Sequence, residues 1–212
     1  MQNVLATLQA GGAMVYPLLA LALLAAIIVL EKGFVFWART RLPEPLRGLI
    51  ETYRYSWAEL ESGLASLGSR NYFGAFLSTL AAGRAQPPWW LESRAGDEAS
   101  LIEKSLGRWL WMLETIVTAA PLLGLLGTIT GMIRAFRLFG SQGLVDPAGV
   151  TGGVAEALIA TALGLFVALI ALFAFNYFSQ RQARIMDEME RLGTRMIDRV
   201  RLDREGAGDE AA

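Results

Sequence analysis

One stretch decides the fold of this chain: APLLGLLGTITGMI, from Ala120 to Ile133. It lies in a segment without charged residues, Thr115 to Ile133, and at about 1.5 Å per helical residue such a segment crosses the roughly 30 Å of hydrocarbon in a bilayer. Small residues recur at every fourth position, which lets helix backbones approach closely in lipid. They are Ala120, Gly124 and Thr128 on one line and Gly127, Gly131 and Ala135 on the next. We predict a closely packed membrane helix with Pro121 in its interior.

Two more uncharged segments are long enough to span a membrane. The first runs up to Leu30 and the other covers Ala157 to Ser179. The chain is 54% hydrophobic and only 18% charged; a soluble protein would bury these residues in a core, but three segments of spanning length favour insertion. We predict an all-α membrane protein with three transmembrane helices that extend into the cytoplasm and a small cytoplasmic helical insert.

The basic residues predict the orientation. Of 19 Lys and Arg residues, 10 lie between Lys32 and Arg108 and 7 lie between Arg181 and Arg204, with none before Lys32. Because cytoplasmic loops carry the excess of basic residues, the sequence predicts a multi-pass membrane protein whose long 32–109 segment and C-terminus lie in the cytoplasm. Its predicted segments are 1–37 (first membrane helix, N-terminus in the periplasm), 38–108 (cytoplasmic helical insert), 109–137 (second membrane helix), 138–149 (short periplasmic loop), 150–179 (third membrane helix), 180–204 (cytoplasmic helical extension) and 205–212 (disordered tail).

Apolar spacing predicts the helices outside the membrane. A spacing of three or four residues indicates one amphipathic helix over Leu46–Leu67, and a short helix is predicted over Tyr72–Ala82. A further helix is predicted to start near Asp97 or Ser100 and to continue without a break into the second span. After the third span, an apolar stripe should pack on neighbouring helices, the alternative being a solvated single helix; it comprises Ile185, Met189, Leu192, Met196 and Val200.

The composition excludes several kinds of chemistry. Cysteine and histidine are both absent, which removes thiolate sites, the commonest metal ligand and the usual proton shuttle near neutral pH. The chain has no Gly-rich phosphate loop, nucleophile elbow or paired metal-ligand motif. We therefore predict no enzyme activity, no catalytic residue, no metal site and no cofactor, and, without a basic stripe or a base-stacking motif, no nucleic-acid partner.

Polar side chains inside the spans are the candidate ion pathway: Thr128, Thr161 and Glu156. A carboxylate in a membrane helix should face protein or water, although Glu156 would be unremarkable if it lay among lipid headgroups. Each threonine has an alternative local role, a bond back to the i−4 carbonyl of its own helix. The third span also carries a small-residue face, so the predicted helix-packing set is Pro121, Gly124, Gly127, Gly131, Gly153, Ala157 and Gly164. Two such faces are too extensive for a single antiparallel pair to use, so the sequence predicts a homo-oligomer.

Two blocks of sequence carry a family resemblance. The first is APLLGLLGTITGMIRAF (Ala120–Phe136) and the second is GVAEALIATALGL (Gly153–Leu165), with Thr128 and Thr161 separated by 33 positions. Together they resemble the ExbB/TolQ/MotA proton-channel family, and three spans resemble its ExbB/TolQ branch. The resemblance implies an inner-membrane pentamer whose second and third helices line a central pore. It further implies a single-span ExbD- or TolR-like partner in that pore with an Asp as proton carrier, and in the ExbB case a TonB-like energy transducer.

The resemblance leaves several alternatives open. Relatives often have a proline late in the third span, in an AIPA-like stretch, whereas here Ala168-Leu169-Ile170-Ala171 has none, so no kink is expected there. The family's pore positions correspond to Thr128, Thr161 and Glu156 in this chain. An ExbB-like transport role, a TolQ-like envelope role and a non-conducting membrane scaffold remain competing hypotheses, and the coupling ion is H⁺ or Na⁺ because hydroxyls serve both.

Overall fold

The computed structural model of the chain describes residues 12–53, 55–68, 70–137 and 147–209. These residues form helices joined by short connections, and no strand occurs among them. The helices are α1 (Val15–Ala38), α2 (Glu44–Thr52), α3 (Trp57–Ala65), α4 (Tyr72–Ala82), α5 (Pro88–Gly107), α6 (Leu110–Arg137) and α7 (Pro147–Asp209). The prediction of an all-α protein is therefore confirmed for the described residues. The predicted loop at 138–146 and the start of the first predicted helix at 1–11 lie outside them.

The chain divides into two compact units. The first contains the residues up to Leu30 and Trp109–Phe178, and the second contains Glu31–Arg108 and the residues from Ser179 onward. These limits lie within a few residues of the ends of the uncharged segments. The first unit thus contains the apolar spans, and the second contains the short helices together with the charged part of α7.

Side-chain size in the first unit follows the pattern of a membrane protein. Its buried positions on α6 and α7 are mostly Ala and Gly, such as Ala120, Gly124 and Ala160. Large apolar residues point outward instead; Leu122, Leu158 and Phe166 are each more than 60% exposed. Lipid tails solvate large apolar groups, so close packing of small residues, together with interhelical hydrogen bonds, holds the helices against each other. Three of the described helices are long and apolar enough to cross a membrane, and the chain is an all-α membrane protein.

The second unit has an ordinary hydrophobic core. The predicted stripe on α7 is buried throughout, with Met189 and Leu192 fully enclosed. A Cβ at Gly193 would lie 2.9 Å from the ring of Phe76 on α4, so α7 and α4 approach closely here. The structure confirms both the packed stripe and the helix at Tyr72–Ala82, because apolar periodicity reports burial wherever a helix is amphipathic.

The predicted single helix over Leu46–Leu67 is wrong, since the structure has α2 and α3 there. Tyr53 ends α2 in the left-handed conformation, with φ of 56°. Ser56 then caps α3, where its side-chain oxygen accepts a hydrogen bond from the backbone N–H of Glu59 at 3.2 Å. The Ser-x-x-Glu spacing is the sequence signal for this new helix start. Apolar periodicity does not reveal such a break when both helices face the same core.

The predicted helix from Asp97 into the second span is wrong at both ends. The helix α5 already begins at Pro88, a residue whose fixed φ suits a first turn. It ends at Gly107, and Trp109 has φ of 70° before α6 starts. Lys32 of α1 is buried and its ammonium donates a hydrogen bond to the carbonyl oxygen of Leu106 at 2.8 Å. This distant partner satisfies a carbonyl at the end of α5, which a sequence pattern does not reveal.

The C-terminal end of α7 also differs from its prediction. The sequence predicts disorder from 205, whereas α7 continues through Asp209. Adding residues to an existing helix avoids the cost of nucleation, so a short polar segment that could not form a helix alone can extend one. Residues 210–212 lie outside the described part of the chain.

The cap of α3 gives a first testable prediction. Substitution Ser56→Ala should lower the free energy of unfolding of the detergent-solubilised protein by about 1 kcal/mol, because the N–H of Glu59 loses its acceptor. Ser62 is the matched control, since its hydroxyl only donates to the carbonyl of Glu59 within the same helix. Equal effects of Ser56→Ala and Ser62→Ala in chemical denaturation would contradict the capping role.

Candidate functional site

The candidate site lies along the contact between α6 and α7 in the first unit, which we call the seam. A Cβ added at Gly164 would lie 2.5 Å from the carbonyl oxygen of Ala120 and 3.0 Å from the Cα of Gly124. A Cβ at Gly131 would lie 2.9 Å from the Cβ of Ala157 and 3.0 Å from the carbonyl oxygen of Gly153. Backbone therefore meets backbone at two levels of the seam, and no side chain fits there.

The small-residue faces are used inside one chain. Gly124, Gly127 and Gly131 of α6 face α7, and Gly153 and Gly164 of α7 face α6. The expectation that one antiparallel pair could not use both faces is thus wrong. Both faces have the same four-residue repeat, so two antiparallel helices can match them along their whole shared length. The Gly and Ala faces by themselves therefore do not indicate an oligomer. Pro121 lies within α6, which continues through it.

Thr161 is located at the seam. Its hydroxyl donates a hydrogen bond to the carbonyl oxygen of Gly124 on α6, at 3.0 Å. The two helix backbones are close at this point, since a Cβ added at Gly124 would lie only 3.1 Å from the Cα of Thr161. A polar group in the apolar unit thus bridges two helices where their backbones lie close together. The hydrogen bond of Thr161 is therefore not the local bond that was its alternative.

Thr128 has a different partner. Its hydroxyl donates to the carbonyl oxygen of Leu125 in its own helix, at 2.6 Å. This is the local role considered from the sequence, with the i−3 carbonyl in place of i−4. Thr130 makes the same kind of bond, to the carbonyl oxygen of Leu126 at 3.0 Å. The two candidate threonines therefore donate to different carbonyls, one across the seam and one within α6.

Glu156 forms an ion pair that the sequence analysis missed. Nη1 of Arg134, in the last turn of α6, lies 2.6 Å from Oε1 of Glu156 on α7. On its other side the carboxylate contacts Gly12, where an added Cβ would overlap Oε1. The sequence does contain a signal for the pair: Arg134 follows Thr128 by six residues and Glu156 precedes Thr161 by five. In antiparallel helices with the threonines at similar depth, these offsets bring the two charges together.

The seam therefore combines close packing with a few polar groups. Toward its middle are the hydroxyls of Thr161 and Thr128, and at its α6 C-terminal end is the Arg134–Glu156 pair. Within the described residues no cluster of three or more His, Cys, Asp or Glu could hold a metal ion. The arrangement offers hydrogen-bonding groups and one carboxylate in an apolar unit. Groups of these kinds line the ion paths of membrane proteins.

The chain is similar to proteins of one known family. The model of the MotA/TolQ/ExbB proton channel family matches residues 69–191. The biopolymer transport protein ExbB-like 3 of Synechocystis is 34% identical over 80% of this chain and 82% of its own length. The ExbB biopolymer transport protein of Xanthomonas campestris is 43% identical over 37% of this chain and 31% of its own. The Tol-Pal system protein TolQ of Pseudomonas aeruginosa is 40% identical over 40% and 36% of the two chains.

The seam itself is testable with one methyl group. Substitution Gly164→Ala should destabilise the protein by at least about 1–3 kcal/mol, because the added Cβ meets backbone atoms that cannot move aside. Gly152→Ala is the matched control on the same helix, since nothing lies within 4 Å of its added Cβ. Thermal unfolding in mild detergent measures both. A Gly164→Ala protein as stable as Gly152→Ala would show that the seam is looser than the structure has it.

Proposed function

Because the chain belongs to the MotA/TolQ/ExbB proton channel family, we propose that it is the stationary, ion-conducting subunit of an ExbB-ExbD-TonB-like complex. The complex uses the proton-motive force of the bacterial inner membrane to drive outer-membrane transport. Each proton that moves inward through 100 mV releases roughly 2.3 kcal/mol, and that energy is available to move the partner helices. The subunit itself is a channel component and not an enzyme.

One observation carries the proposal: the hydroxyl of Thr161 bridges α6 and α7 where their backbones lie close together. Interhelical hydrogen bonds also hold the helices of a scaffold together, so this bridge supports an ion path only in combination with the other polar groups of the same apolar unit. In this chain Thr161, Thr128 and Glu156 are such groups, and all three coincide with the pore positions that the family resemblance implies. We infer that these three side chains line a hydrated ion path, together with groups from a partner chain.

The proposed path needs a partner. The uncharged segments of α6 and α7 contain no carboxylate between Ala157 and Phe178 or between Thr115 and Ile133, so a carboxylate that carries the proton across mid-membrane must come from another chain. A single-span ExbD- or TolR-like helix with an Asp supplies it in the proposed complex. A TonB-like protein is the proposed energy transducer, and the subunit forms a homo-oligomer, a pentamer by family resemblance.

The proposed orientation has the N-terminus in the periplasm and the C-terminus in the cytoplasm. Of the 19 basic residues, 10 lie in Glu31–Arg108 and 7 follow Phe178, so 17 belong to the second unit. The positive-inside rule assigns such a unit to the cytoplasm. The proposed domain limits remain those of the sequence analysis, apart from the helix boundaries that the structure revises.

The ExbB-like relative that is 34% identical over 80% of this chain supports the ExbB-like role as the first candidate. A TolQ-like subunit of a Tol-Pal-type envelope system is the second candidate. It shares the proposed mechanism and differs in its partner, so deletion of the chain's gene separates the two: loss of TonB-type uptake supports the first, and loss of envelope integrity supports the second.

The channel proposal is tested at the two threonines. Thr161→Val should lower proton flux into proteoliposomes by about tenfold or more, since a dry segment that raises the barrier by about 1.4 kcal/mol has that effect. Thr128→Val should act in the same direction, and Thr161→Ser should retain much of the flux. Thr130→Val is the matched control, because its hydroxyl is bonded within α6 as that of Thr128 is, but points about 200° away around the helix.

The flux is measured with the co-expressed partner present and with expression and assembly checked for each variant. Wild-type flux in a Thr128→Val, Thr161→Val double variant would remove both residues from the path. That result would favour the non-conducting scaffold.

The oligomer is a separate prediction. Native mass spectrometry of the complex in mild detergent should show several copies of this chain, with five expected from the family resemblance. Since the Gly and Ala faces are already used inside the chain, contacts between copies must involve other surfaces. Gly127→Leu is therefore expected to disrupt the fold of each copy before it disrupts assembly. A wild-type complex with a single copy would contradict the pentamer.

A further inference from the structure

The ion pair at the end of the seam is held from three sides. Arg134 of α6 contacts Glu156 of α7 at 2.6 Å, and the Glu156 side chain is only 19% exposed while that of Arg134 is 48% exposed. The short distance is that of a charge-assisted hydrogen bond. The carboxylate is thus the more enclosed member of the pair.

Gly12 also contacts the carboxylate of Glu156. This residue precedes α1 and has φ of +69°, a conformation that favours glycine. A Cβ at this position would overlap Oε1 of Glu156, the same oxygen that Arg134 contacts. The lack of a side chain at Gly12 therefore provides the space that Oε1 occupies. Three separate segments of the chain therefore meet at this ion pair: α6, α7 and the residue that precedes α1.

The pair controls the charge at this end of the proposed path. An unpaired carboxylate in an apolar unit attracts cations and can replace part of the hydration shell of Na⁺. The guanidinium of Arg134 neutralises that charge and occupies the coordination position on Oε1. A proton needs no such binding site, since it passes along hydrogen-bonded water and hydroxyl groups.

We propose that Arg134 is the specificity-determining residue of the ion path: by pairing with Glu156, it makes this entrance reject Na⁺ and admit H⁺. The inference rests on the proposed function, because it concerns which ion that path accepts. It adds a residue that acts on the ion path through Glu156, five residues along α7 from Thr161, a rise of about 7.5 Å.

The experiment measures two ions in one preparation. The complex with its partner is reconstituted into proteoliposomes, a membrane potential is imposed, and the uptake of ²²Na⁺ and of H⁺ is recorded. The wild type should take up H⁺ at a rate unaffected by replacing Na⁺ with choline. Arg134→Gln should raise the ratio of Na⁺ to H⁺ uptake about fivefold or more, the factor expected from removing one unit charge about 4 Å from the ion even with water-like screening.

Arg137→Gln is the matched control, and Arg134→Lys is the conservative variant. Arg137 lies in the same last turn of α6 and is exposed, and none of the described ion pairs involves it. Its substitution removes the same charge from the same helix end but leaves the pair intact, so its ion ratio should match that of the wild type. Arg134→Lys keeps the charge and should keep most of the selectivity for H⁺.

A second variant tests the pair without removing either charge. Gly12→Ala places a methyl group where Oε1 of Glu156 lies, which should displace the carboxylate from Arg134 and raise the Na⁺ to H⁺ ratio. It therefore keeps the inference testable if Arg134→Gln fails to assemble.

Each outcome has a distinct meaning. Wild-type proton flux with an unchanged ion ratio in Arg134→Gln and Gly12→Ala overturns the inference and leaves the proposed function intact. Sodium uptake by the wild type at a rate comparable to its H⁺ uptake also overturns the inference. Absence of any ion flux in the wild-type complex overturns the proposed function and with it the inference. A raised ratio in both variants, with Arg137→Gln unchanged, supports the role of Arg134.

Discussion

Close approach of two helix backbones is the constraint on which the first unit depends. In lipid, large apolar side chains gain little from contact with each other, so dispersion contacts and hydrogen bonds at short range must hold helices together. At Gly164 the distance from a would-be Cβ to the Ala120 carbonyl oxygen is 2.5 Å, which only glycine tolerates. The outward-facing Leu and Phe residues then need no partner within the chain, because lipid tails solvate them.

This constraint also explains why the polar groups are where they are. A threonine can donate to a carbonyl of another helix only where the backbones nearly touch, and Thr161 does so with Gly124 at 3.0 Å. Thr128, away from such a carbonyl, bonds within its own helix. Close packing therefore gives two threonines of similar sequence context different hydrogen-bond acceptors. It also brings Arg134 of α6 level with Glu156 of α7. The proposed ion path is a consequence of the seam and not an addition to it.

The second unit is stabilised by different physics. Its core of Leu, Ile, Phe and Met side chains, including Phe76 and Met189, is that of a water-soluble helical bundle, where the hydrophobic effect drives burial. Lys32 is a charged residue buried in this core, where its ammonium donates to the carbonyl of Leu106 at the end of α5. A single helix, α7, contributes residues to both units, small ones before Phe178 and an apolar stripe after it. The side-chain pattern along α7 changes where its surroundings change.

The sequence by itself determined the properties that depend on neighbouring positions. Uncharged length predicted three spans, the four-residue repeat of small residues predicted close packing, and spacing predicted both the helix at Tyr72–Ala82 and the buried stripe of α7. Thr161 and Glu156 were found as polar residues in an apolar span. The tertiary structure decided what each face meets: α6 against α7 within one chain, Thr161 against Gly124, and Arg134 against Glu156. It also decided the breaks at Tyr53 and Trp109. Periodicity is a local property of a helix, whereas a contact depends on the register of segments far apart in the chain, which no local pattern contains.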